Sequence, residues 1–167
     1  AFEILSREQV EIVVKHGPGL ASPMPLQHPF YVLFEVADSV PQWNPVDEIE
    51  RALEGALEEG LIVDAVVATD LAKAEALWAL RHNISEANKH AGFTISNDTS
   101  VPVSRLPEFI ERVSRRIPES VPSARVSIMV RQGPSAIGRT RAPMPTAAQR
   151  RAVTALNVSP RRSASVR

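Results

Sequence analysis

The stretch PFYVLFEVA, residues 29–37, decides the architecture. From Phe30 to Val36 it is a dense run of aromatic, aliphatic and β-branched residues broken by a single acid, which reads as a largely buried strand. Upstream, Ser6 followed three residues later by Gln9 is a capping-box pattern, and Val10, Val13 and Val14 give the apolar face of a short helix. Gly17-Pro18-Gly19 closes that helix. Downstream, DEIERALEGALEEG sets Ile49, Leu53, Ala56 and Leu57 on one helical face with acids opposite, and Gly60 supplies the stop.

The same reading carries on along the chain. LIVDAVVA, residues 61–68, is a second strand. Thr69 or Asp70 caps a long helix predicted to run to about Gly92. TISNDTSVPV is extended or turning, Ser104 caps a helix with the stripe Leu106, Phe109, Ile110 and Val113, and Pro118 is expected to end it. ARVSIMV, residues 124–130, reads as another strand. Few strands and modest helices predict an α+β fold: a ferredoxin-like, small antiparallel sheet with helices packed on one face.

Composition adds boundaries. The formal net charge of zero hides two unlike halves. Residues 1–120 hold 10 Lys+Arg against 19 Asp+Glu, whereas residues 121–167 hold 9 arginines and no acidic side chain, aromatic residue or histidine. The chain accordingly divides into a domain over 1–130, expected to be truncated, and a basic, low-order tail over 131–167 whose only helical pattern is the weak TAAQRRAVTAL. Arginine, proline, alanine and serine in that proportion also resemble the product of a shifted reading frame in GC-rich DNA. Nine arginines can meet phosphates, but without interleaved aromatics or a motif they predict no specific nucleic-acid binding. Zero cysteines exclude a disulfide framework and thiolate metal sites. No run reaches membrane-spanning length, and the acidic opening lacks a leader pattern, so a cytoplasmic location is expected. A sheet ending at residue 130 leaves an open edge, which predicts instability or an oligomeric contact.

The candidate site lies in LWALRHNISEA, residues 77–87. Leu77, Leu80, Ile84 and Ala87 make the core stripe, and Trp78, Arg81 and Ser85 follow the same spacing about a quarter turn away. Arg81 offers a fork of donors to a carboxylate, Ser85 adds a hydroxyl one turn on, and Trp78 shields one side. On residue chemistry alone the plainer reading stays open: Arg81 pairs with a nearby acid and Trp78 covers the core edge. Histidines 16, 28, 82 and 90 show no ligand spacing.

The longer segment LWALRHNISEANKHAGFTISNDTSVPVSRLPEFIERV resembles the C-terminal domain of FAD-linked oxidases of the vanillyl-alcohol-oxidase type. That branch includes D-lactate dehydrogenases, glycolate oxidase subunits and D-2-hydroxyglutarate dehydrogenases. The likeness rests on Leu80-Arg81, Ser85, Asp98 and Ser100 through Pro107, extends to AFEILSREQVEIVV and PFYVLFEVA, and covers about residues 1–130. It implies that FAD is bound mainly by a domain absent from this chain, which itself forms the substrate cap. It also implies that Arg81 and Ser85 bind a substrate carboxylate, with Trp78 lining the pocket.

Two departures limit what carries over. The family lysine fifteen residues after the arginine is Ser96 here, which tilts the expected substrate toward a small or differently shaped D-2-hydroxy acid. Where some relatives continue into G-H-x-G-D-G-N-x-H and bind a divalent metal, this chain reads MVRQGPSAIGRTR, with no histidine after His90 and no carboxylate side chain after Glu119. The metal ligands and the base are therefore missing, and no residue here is assigned as catalytic. The resemblance implies an oxidoreductase acting on a lactate-, glycolate- or hydroxyglutarate-like acid, with a flavin-binding domain or subunit as partner. The competing reading is a non-catalytic protein-interaction module or degenerate remnant.

Overall fold

The computed structural model describes residues 1–38, 44–131 and 150–158. Its elements are β1 (Phe2–Ser6), α1 (Arg7–His16), β2 (Phe30–Asp38), α2 (Pro45–Glu58) and β3 (Ile62–Val67). After them come α3 (Leu71–His82), α4 (Ile84–Ala91), a 3₁₀ turn (Val103–Arg105), α5 (Leu106–Ser120), β4 (Met129–Arg131) and β5 (Arg150–Val158). The five strands form one antiparallel sheet in the order β3-β5-β2-β1-β4.

β2 is the heart of that sheet, as its composition predicts, pairing with β1 on one side and β5 on the other. Period-two alternation along it feeds two apolar clusters. Tyr31 and Leu33 join Leu5, Val10 and Val13, together with Leu77 and Leu80 of α3 and Ile84 and Ala87 of α4. This is the α+β arrangement the sequence predicts, a small antiparallel sheet with α1, α3 and α4 packed together on a face, consistent with a ferredoxin-like fold. The alternate residues, Val32 and Phe34, meet Ile49 and Leu53 of α2 and Ile62 of β3 in a second, smaller cluster.

The helix ends follow local chemistry. Ser6 accepts a hydrogen bond from the Gln9 backbone N–H at 3.3 Å, which is one half of the expected capping box. The other half is absent because the Gln9 side chain donates to Asn88 instead. Between the two candidates for the next cap, Asp70 fills the role, accepting from Lys73 N–H at 2.8 Å. α2 ends as Gly60 predicts. That residue sits at φ 65°, its N–H reaches the Leu57 carbonyl at 2.9 Å, and Leu61 N–H reaches Ala56 at 2.8 Å.

The strand expected over 124–130 narrows to β4, and the helix cap expected at Ser104 falls on Arg105 without a side-chain hydrogen bond. Four further features differ most from the sequence expectation. FEILS forms β1, which no alternation announces, because an acid, Glu3, occupies a buried pleat position. The single long helix from residue 70 is two, broken at Asn83, whose φ of −88° and ψ of 1° leave the α region. Helical hydrogen bonds persist on either side, from Asn83 to Ala79 and from Ala87 to Asn83, so the break is a one-residue kink. The Asn83 side chain holds it by donating to the Ala79 carbonyl at 2.8 Å, a local bond that competes with regular helix. α5 runs through Pro118 to Ser120, the proline falling in its last turn.

The fourth difference lies in the basic segment after residue 130. Arg131 closes β4, and residues 150–158 form β5, seated between β2 and β3 rather than in a helix or a low-order tail. The segment from Thr146 to Val158 contains neither Pro nor Gly and includes Val153, Thr154 and Val158, which suits a strand once long partners stand on both sides. β5 thus lies between β2 and β3, so the sheet does not end at residue 130, which had been the ground for expecting an open edge. The rest of residues 132–167 lie outside the described residues. Among the described residues no helix is long and apolar enough to cross a membrane.

Candidate functional site

Arg81 stands in the last turn of α3, directly after buried Leu80, and its guanidinium leans back over the sheet. Its Nε donates to Oε2 of Glu3 on β1, joining positions 78 residues apart. The Glu3 and Arg81 side chains are 9% and 19% exposed, whereas every other ion pair among the described residues has both partners at least 34% exposed. Those outer pairs are weak, but a shielded pair is a strong local constraint, since removing either partner strands a buried charge.

Separate polar bonds fasten the neighbouring elements. Ser6 at the end of β1 donates its N–H to the Ile128 carbonyl at 2.8 Å and accepts from Ile128 N–H at 3.0 Å. The buried Gln9 on α1 donates from Nε2 to Oδ1 of Asn88 on α4 at 3.1 Å. Three polar side chains buried along β1 and the start of α1, Glu3, Ser6 and Gln9, therefore tie these elements to α3, α4 and the approach to β4. Each bond satisfies a group that would otherwise be costly to bury.

The other two candidates lie in different surroundings. Trp78 is half-buried against the larger cluster, and its ring stacks on His82 at 6.0 Å with 20° between planes. Its Nε1 is buried without a hydrogen-bond partner among the described residues. Ser85 lies beyond the kink at Asn83 and is exposed. None of the three candidates hydrogen-bonds to another among the described residues, so they line one stretch of helix without forming a closed cluster. On the outer side of α4, Lys89 donates to Glu86 at 2.9 Å. That bond holds the Glu86 carboxyl below its usual range and raises Lys89.

Glu3 is the residue that sequence reasoning passed over. Its signal was an acid inside the apolar run FEIL, a buried pleat position that only a partner such as arginine makes tolerable. Among the described residues no three His, Asp or Glu side chains gather as a metal-binding cluster. A cavity beneath β2, lined chiefly by Leu5, Val10, Met24, Tyr31, Leu77 and Leu80, lacks the donors a dinucleotide pyrophosphate needs. These residues fit neither a divalent metal nor the bulk of a flavin.

Comparison with known proteins gives the site a family context. A profile described as FAD linked oxidases, C-terminal domain, matches residues 1–132. The chain is 32% identical over 118 residues to the protein from Oryza sativa subsp. indica named probable D-2-hydroxyglutarate dehydrogenase, mitochondrial, covering 70% of this chain and 21% of that one. It is 36% identical over 118 residues to the mitochondrial D-2-hydroxyglutarate dehydrogenase of Rattus norvegicus, with the same coverage. Against the D-2-hydroxyglutarate dehydrogenase of Xanthomonas citri pv. viticola it is 32% identical over 128 residues, 73% of this chain and 25% of that protein. The chain thus spans about a fifth to a quarter of these curated relatives. The cytoplasmic location expected from composition is overturned here, because the plant and animal relatives are consistently named as mitochondrial.

Proposed function

The chain belongs to the family of FAD-linked oxidase C-terminal domains, and from that premise we propose that it is the substrate-cap part of an FAD-dependent oxidoreductase converting a D-2-hydroxy acid to the 2-keto acid. The observation that carries this reading is Arg81. It sits within the family match, on the Leu80-Arg81 pair, with a side chain that is partly shielded yet 19% exposed. A carboxylate brought to a partly desolvated arginine gains paired, charge-assisted hydrogen bonds that bulk water would weaken.

The chain's own work in this reading is binding and orientation. Arg81 anchors the substrate carboxylate, Ser85 reaches the acid from one turn on, and Trp78 closes one side of the pocket. Fixing the carboxylate fixes the carbon next to it, and that placement lowers the barrier for a partner group acting at that carbon. FAD, held by a separate domain or subunit, supplies the two-electron acceptor. No step is routed through a metal, since the described residues offer no set of ligands for one.

The test is reconstitution. The purified chain is combined with the flavin-binding part of a D-2-hydroxyglutarate dehydrogenase lacking its own cap, and D-2-hydroxyglutarate, D-lactate or glycolate is added without oxygen. Binding of at least one of the acids that requires the chain, read as a shift of the flavin absorbance, and that weakens at least about tenfold with Arg81→Met, is the expected outcome, since the chain supplies an anchor and no base. Absence of any such shift, together with no binding of any of the three acids to the chain, would overturn the reading in favour of a non-catalytic module.

A further inference from the structure

The guanidinium of arginine presents two edges to carboxylates: a side edge containing Nε, and an end edge formed by the two terminal Nη groups. Arg81 gives its Nε to Glu3. Building on the substrate-cap reading, we propose that Glu3 is a positioning residue. By holding the Nε edge it turns the Nη pair of Arg81 outward as the fork that receives the substrate carboxylate.

Glu3 is well placed to act as a fixed post. Its backbone lies in β1, paired with Leu33 of β2 on one side and Arg131 of β4 on the other. Its side chain is nearly buried, so it cannot swing away with solvent. Arg81 hangs from the end of α3, one residue before the His82–Asn83 junction, where a long side chain would otherwise sample many rotamers. The Gln9–Asn88 bond ties α4, on the far side of the kink, to α1, the helix that follows β1. An anchor preset in this way does not lose its rotamer freedom when the ligand arrives.

Glu3 also has an opposing effect, which makes the idea testable. Its negative charge partly cancels that of Arg81 and repels an incoming carboxylate. Positioning predicts that loss of Glu3 weakens acid binding, and simple charge competition predicts that it strengthens it. Substitutions separate the two. Glu3→Gln keeps an acceptor oxygen for Nε and removes the charge. Glu3→Asp keeps the charge and withdraws the carboxylate by one methylene. Glu3→Ala removes both.

The experiment titrates the full chain with D-2-hydroxyglutarate and with D-lactate, and follows the Arg81 Nε–Hε signal by NMR. Glu3→Ala is expected to weaken binding about tenfold and to leave the Arg81 signal mobile, Glu3→Gln to bind within about threefold of the parent, and Glu3→Asp to fall below Glu3→Gln. Glu54→Gln, on exposed α2, controls for net charge and should bind like the parent. Where Glu3→Ala fails to fold, Glu3→Asp decides against the parent: positioning predicts weaker binding than the parent's. Glu3→Asp binding as tightly as the parent, with Glu3→Gln tighter still, is the mark of charge competition and overturns the proposal. Binding by Glu3→Ala as tight as the parent's overturns the proposal, as does an Arg81 signal equally mobile with and without Glu3. A parent chain that binds neither acid instead overturns the substrate-cap reading, while the ligand-free Arg81 signal still reports on the pair.

Discussion

The stretch up to Ala87 and the stretch from Gly92 to Ile128 both carry apolar residues at regular spacing and come out differently. Every buried hydrophobic residue among those described falls between Leu5 and Ala87. Val13 is 1% exposed and Leu33 4%, whereas Phe93 is 96% exposed and Val103 82%. α5 has a clean amphipathic stripe in Leu106, Phe109, Ile110 and Val113, yet none of its residues is buried. Period alone makes a helix, and only a facing surface makes a core. The first stretch supplies such surfaces through alternation in β2, and through polar bonds between elements.

The sharpest way to break this contrast is truncation in each stretch. Leu33→Ala should cost about 2–5 kcal/mol of unfolding free energy, because the methyl groups leave a cavity between β2 and α3. Phe109→Ala removes a larger side chain but only a half-shielded one, so it should cost about 1 kcal/mol. Urea denaturation followed by circular dichroism measures both. A cost for Phe109→Ala equal to that of Leu33→Ala would mean that α5 shares the main cooperative unit.

A smaller effect sharpens the account of how α2 is bounded within the first stretch. Gly60 occupies φ 65° with nothing close to where a Cβ would lie, so Gly60→Ala meets no clash and pays only the left-handed backbone penalty. The expected loss is about 1 kcal/mol in the same denaturation series. An unchanged midpoint would show that the turn relaxes out of the left-handed region at no cost.

Much of this was legible beforehand because it is local. β2, α2 with its glycine stop and the Asp70 cap all follow from patterns within about fifteen residues. The family was legible from Leu80-Arg81 through Pro107. What escaped was non-local. β1 hides because Glu3 is tolerable only with Arg81 folded against it, and β5 hides because its pairing requires β2 and β3 on either side. The kink at Asn83 hides for another reason, since a side-chain bond to the Ala79 carbonyl leaves the hydrophobic period untouched. The candidate site was read as a helical face of three residues, but the strongest interaction of Arg81 lies off that helix altogether.

The mildest effect concerns the entry to the helix that carries Arg81. Asp70 is exposed, and the hydrogen bond it accepts from the Lys73 backbone N–H holds its carboxyl below its usual range, with the Lys73 ammonium adding to the effect. A carboxyl depressed in the folded state stabilises that state above its unfolded value and loses the contribution as pH falls through the folded value. Stability of the parent chain should therefore decline toward acid partly through this cap, and Asp70→Ala should flatten that part of the decline while lowering stability at neutral pH. The check is thermal unfolding of parent and variant from neutral pH into the acid range. Two curves that stay parallel below the usual carboxylate range would remove Asp70 from the account. Curves that converge there would show that the first turn of α3 is fastened by a charge at the surface, whereas its last turn is fastened by the shielded Glu3–Arg81 pair.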